Sequence, residues 1–151
     1  MSGGTVRGFS KPAIYLDQRF NTLRHQQREA VTFSRQPAYD ALWEAWQPCK
    51  VANWDGEGAE AIEQVTYQNA YRLIEALPSG FPSPTVTAEP DGHISLEWYR
   101  HPRQILTVSI SPEGTLYWAA LVGSEDPRGS CRLFDEFPET LRHWIARVCR
   151  G

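Results

Sequence analysis

Pro90-Asp91-Gly92-His93-Ile94-Ser95-Leu96-Glu97-Trp98-Tyr99 is the stretch on which the fold turns. Asp91-Gly92 is a tight-turn pair. Behind it Ile94, Leu96 and Trp98 alternate with Ser95, Glu97 and Tyr99, the period of a half-buried strand. Upstream, Thr85-Val86-Thr87-Ala88 reads as a short strand that the turn pairs with the first. Downstream, His101-Pro102-Arg103 is a turn, and Ile105, Thr107 and Ser109 alternate with Leu106, Val108 and Ile110. Ser111-Pro112-Glu113-Gly114 turns the chain again, and Leu116 to Val122 is a last apolar strand. Short turns between alternating runs predict an antiparallel meander of four strands.

Outside that block the period is helical. Ile62, Val65, Tyr67, Asn69, Ala70, Leu73, Ile74 and Leu77 predict a helix over 60–77, stopped at Leu77-Pro78 because proline continues a helix poorly. Leu16, Phe20, Leu23, Gln27, Ala30 and Val31 predict another over 13–33. Pro37 suits the first turn of a short helix bearing Tyr39, Leu42, Trp43 and Trp46, which ends before Pro48. At the far end 123–130 reads as a loop, and Phe137-Pro138 opens a helix with Leu141, Trp144, Ile145 and Val148 on one stripe. The predicted order is α-α-α-β-β-β-β-α, an α+β class in which helices flank a four-stranded sheet. The expected organisation is a flexible lead-in over 1–12, a helical pair over 13–48 and an α+β core over 49–151.

Composition fits a folded domain: 151 residues, 41% hydrophobic and 22% charged. The longest purely apolar run, Leu116 to Val122, is far short of the ~20 residues that cross a bilayer. The first residues lack an apolar leader segment, so a cytoplasmic location is expected. Cys49, Cys131 and Cys149 are odd in number and widely spaced, which predicts reduced thiols rather than a disulfide framework. The net charge of −3 conceals an asymmetry. Residues 1–50 carry seven Lys/Arg against four acids, whereas 51–97 carry eight acids against Arg72 alone, a net −7. An acidic block disfavours nucleic acid along that segment and suits a basic partner surface, or the basic first third of this same chain.

Two motifs carry a resemblance. Asn53-Trp54-Asp55-Gly56-Glu57-Gly58-Ala59 precedes the helix that ends at Leu77-Pro78, and Pro90 to Trp98 forms the hairpin. Together they resemble a group of small, mostly uncharacterised bacterial proteins, over about residues 50–148. The resemblance implies the fold and a bacterial type of protein, and it brings no activity or residue role. Small proteins of that kind tilt the expectation toward antitoxin, immunity or defence-related inhibition.

Candidate sites follow from residue types. Asp55, Glu57 and Glu60 crowd one turn, but a calcium loop needs graded oxygen ligands over a longer span, so a turn that caps the next helix is expected instead. Glu97 and His93 lie four apart on a strand, hence on one face, and could act as an acid–base pair in a small enzyme. Strict alternation favours a solvent-facing polar surface there. No cysteine has a histidine at useful spacing, and no His-x-x-x-His pair occurs, so neither cysteine catalysis, a metal nor a cofactor is expected. The partner-binding candidates are Arg19, Arg24 and Arg28 on the first helix, Tyr39, Trp43 and Trp46 on the second, and Glu57, Glu60 and Glu63 in the acidic block. Arginine and aromatic rings dominate binding hot spots. The leading expectation is a non-catalytic, macromolecule-binding protein of inhibitor type, with a small enzyme or a self-associating structural protein as alternatives.

Overall fold

The Asp91-Gly92 turn does what its sequence requires. Gly92 takes φ 91°, a left-handed conformation that side chains resist, and a Cβ there would meet the Glu60 carboxylate at 3.2 Å. Asp91 accepts a hydrogen bond from the His93 backbone N–H at 3.0 Å, closing the turn. In the computed structural model, which describes residues 35–133 and 135–150, this hairpin belongs to a five-stranded sheet. Its strands are β1 (Thr85–Ala88), β2 (Ile94–His101), β3 (Gln104–Ile110), β4 (Thr115–Val122) and β5 (Arg128–Arg132). Each pairs antiparallel with its sequence neighbour, in the order β1-β2-β3-β4-β5.

The α+β class therefore holds, with five strands in place of the expected four. The segment expected as a loop over 123–130 runs into β5. Its register sets Trp118 of β4 opposite Gly129, and a Cβ on Gly129 would lie 3.0 Å from the Trp118 ring. The indole fills the space that a β5 side chain would otherwise take, so within the strand Cys131 alone marks the apolar side.

Three helices occur among the described residues. Residues 35–46 form α1, followed by a 3₁₀ turn at Gln47–Cys49. Then come α2 (Gln64–Ala76) and, after the sheet, α3 (Glu139–Arg150). The second starts four residues later than the predicted 60. Thr66, Asn69, Ala70, Leu73 and Ile74 form its buried face, whereas Val65 is exposed. Asn69 donates to the carbonyls of Ser111 and Pro112 at 3.2 Å, tying α2 to the β3–β4 turn. The predicted helix over 13–33, its Arg19, Arg24 and Arg28, and the lead-in over 1–12 lie outside the described residues.

The core lies on one face of the sheet. Ile94, Leu96, Trp98, Leu106, Val108, Ile110 and Leu116 point into it. α3 packs across β2, β3 and β4 with Leu141, Ile145 and Val148, and α2 packs across β2 and β3. α1 adds Ala38, Leu42 and Trp46 to the same buried cluster. Burial of such side chains is the main stabilising term, ~1.5–3 kcal/mol for each large one. The register places Thr85, Thr87, Ser95, Glu97, Thr107, Ser109, Tyr117, Arg128 and Ser130 on the opposite face. That face is only partly wet, because Ser95 is buried and donates to Glu89 at 2.7 Å.

Candidate functional site

The aromatic spacing of two helices builds the most distinctive surface. Tyr39, Trp43 and Trp46 follow i, i+4, i+7 on α1, and Tyr67 and Tyr71 follow i, i+4 on α2, so each set shares one helix face. Packed together they form a continuous ladder. Tyr39 stacks on Tyr71 at 4.5 Å between centroids, and Trp46 stacks on Tyr67 at 4.3 Å. Trp43 meets both Trp46 and Tyr67 edge-on, at 5.8 and 5.9 Å. Offset and edge-on pairs of this kind add ~0.5–1.5 kcal/mol each beyond burial.

The rings divide by exposure. Trp46 is buried, and its indole N–H donates to the Ile62 carbonyl at 2.9 Å, so it anchors α1. Trp43 is 50% exposed and Tyr71 is 37% exposed, so these two form the accessible part. Lys50 holds its ammonium 4.2 Å from the Trp46 ring centroid and 5.4 Å from that of Trp43. The cluster thus already holds a cation on its rings. Burial raises the Tyr39 hydroxyl above its ordinary pKa, with the nearby Tyr71 adding to the effect, and burial does the same for Tyr67. Both rings stay neutral at physiological pH. Tyr67, Tyr71 and Lys50 were missing from the sequence-derived set, although the four-residue spacing of the two tyrosines was readable.

The acidic candidates lie beside this surface in the chain. Glu57, Glu60 and Glu63 are exposed in the segment before α2. The turn there is self-contained. The Asp55 carboxylate accepts the N–H of Glu57 at 2.8 Å and of Ala59 at 3.0 Å, and Asn53 Oδ1 accepts the N–H of Gly58 at 2.7 Å. The Trp54 indole N–H donates to the Glu60 carbonyl at 2.8 Å. Asp55 therefore caps its own loop rather than the following helix, whose N-cap residue Glu63 makes no side-chain cap. The backbone bond from Glu57 is the main cause of a carboxyl pKa below the usual range.

The polar sheet residues are arranged differently from an acid–base pair. Glu97 lies across from Thr85 and Thr107, and no hydrogen bond joins it to His93. His93 meets the Ser109 hydroxyl at 2.9 Å through Nδ1 and stacks on Tyr117. The same nitrogen faces Asp91 at 3.8 Å. A Ser–His–Asp relay uses the two ring nitrogens for the two partners, so this geometry is not a relay. The thiols of Cys49, Cys131 and Cys149 are free, and burial pushes each pKa up, away from the reactive thiolate. Among the described residues, no three His, Cys, Asp or Glu side chains converge to hold a metal ion. Nor is any described helix long and apolar enough to cross a membrane.

A groove of about 610 Å³ runs between the Pro78–Phe81 turn and α3, lined by Arg142, His143, Arg147 and Arg150. Two of its arginines are already engaged, Arg142 with Glu139 at 3.4 Å and Arg147 with Glu125 at 2.6 Å. Comparison of the chain with protein-family models, with curated proteins and with solved structures finds no match.

Proposed function

We propose that this protein works without catalysis, by binding a basic segment of another protein on the aromatic face of α1 and α2. The observation that carries the reading is the half-exposed Trp43 at the outer end of a five-ring ladder whose faces already accept the Lys50 ammonium. Rigid rings supply contact area at little entropic cost, and an arginine or lysine of the partner gains from their π faces. Asp40 and Glu44 on α1 and the net −7 of residues 51–97, Glu75 of α2 among them, favour a positively charged partner. An inhibitory role, in which binding masks the partner's own working surface, is the form of this activity that we infer, in line with an antitoxin, immunity or defence protein.

Capture of the partner by the full chain, compared with Trp43→Ala, Glu97→Ala and His93→Ala, tests the reading. A stoichiometric, basic partner should bind about 30-fold more weakly to Trp43→Ala. It should bind equally well to the two sheet variants. Unchanged binding by Trp43→Ala, or loss of function only in Glu97→Ala, would overturn it.

A further inference from the structure

A sheet ordered β1 to β5 leaves two outer edges, and the described residues treat them unequally. β1 is four residues long, with Pro82 and Pro84 before it and Pro90 after it. Short length and flanking proline are how proteins blunt an edge. β5 contains no proline. The phase of its backbone follows from two hydrogen bonds, Ala120 N–H to the Pro127 carbonyl at 2.9 Å and Leu133 N–H to the Gly114 carbonyl at 2.9 Å. In an antiparallel ladder such residues alternate, so 127, 129, 131 and 133 turn their backbone groups toward β4. Arg128, Ser130 and Arg132 turn theirs outward, and all three are exposed.

The same three residues place their side chains on the open face of the sheet. Arg128 reaches Asp126 at 3.1 Å, and Arg132 donates to the Thr115 hydroxyl at 3.1 Å. A second copy pairing along the whole of β5 would set Arg128 directly against Arg132, twice. Like charges placed directly opposite destabilise strand pairing. An incoming strand with Asp or Glu at those two positions reverses the sign. We propose that the outer edge of β5 takes an extended, acidic segment of another protein as an added strand, held by the outward N–H and C=O groups of Arg128, Ser130 and Arg132 and selected by the two guanidinium groups. This surface is independent of the aromatic face and stands if that reading fails.

The test titrates the full chain with a fluorescein-labelled peptide alternating glutamate and valine, read by anisotropy, with a lysine–valine peptide as comparison. The glutamate peptide should bind and the lysine peptide should not. Ser130→Pro removes an N–H that points away from β4, so the sheet keeps its ladder while peptide affinity falls about tenfold or more. Arg128→Glu combined with Arg132→Glu should exchange the preference to the lysine peptide. A glutamate peptide N-methylated at alternate amides should lose binding, an outcome that does not depend on any variant folding. Equal binding by Ser130→Pro and by the N-methylated peptide would mean attraction of charge alone and overturn the proposal. So would a dimer of the unmodified chain that Ser130→Pro dissociates, since a second copy would then be the occupant.

Discussion

Asp55 is held ionised by the backbone N–H groups of Glu57 and Ala59, and that has a pH consequence. Its folded pKa lies below the unfolded value of about 3.9. Protonation therefore favours the unfolded chain. The stabilisation is complete above the unfolded pKa and disappears as pH falls through the folded one. Urea midpoints measured between neutral and strongly acidic pH should fall more steeply for the native chain than for Asp55→Asn, and parallel curves would refute this. Gly129 makes a different demand. Its missing side chain leaves room for the Trp118 ring, which in turn stacks on Trp144 of α3 at 6.2 Å. Gly129→Ala should destabilise the fold by ~1–3 kcal/mol through overpacking. The change should also shift the tryptophan emission, because the ring that must move touches a second indole.

At the scale of elements, α1 separates stability from binding along its own length. Leu42 is fully buried, so Leu42→Ala should cost ~2–5 kcal/mol in urea unfolding. Trp43→Ala, one residue on, should cost less, ~1–3 kcal/mol from its two edge-on ring pairs, while removing the exposed end of the ladder. The meander strands and the helix stripes were legible because burial on one side imposes a period. Leu106, Val108 and Ile110 are fully buried, and their neighbours Thr107 and Ser109 are only partly so. β5 was not legible, because Arg-Gly-Ser-Cys-Arg has polar residues on its open face and a glycine where a core residue would announce a strand. The start of α2 was misplaced because Ile62 is buried like a helix-stripe residue yet precedes the helix, and within the helix Thr66 rather than Val65 takes the buried position. Of the candidate site, the α1 rings could be read singly. Their assembly with Tyr67 and Tyr71 could not, since it depends on how two helices pack.

For the whole molecule, the buried cluster crosses the boundary expected between a helical pair over 13–48 and an α+β core over 49–151. Ala38, Leu42, Trp46 and Cys49 share it with the sheet and with α3. A chain beginning at Lys50 should therefore lack cooperative unfolding and near-ultraviolet ellipticity; a sharp, two-state melt of that fragment would show the sheet to be self-sufficient. The strand order carries one last consequence, for folding kinetics. Every strand pairs with its sequence neighbour, so each hairpin closes only a short loop, and loop closure is the main entropic barrier. The helices must instead join residues 35–77 to residues 139–150 across the finished sheet. Asp91→Ala, which loosens a hairpin turn, should chiefly slow refolding, whereas Leu42→Ala should chiefly speed unfolding. The turns thus govern how quickly this protein is made, and the helices govern how long it lasts.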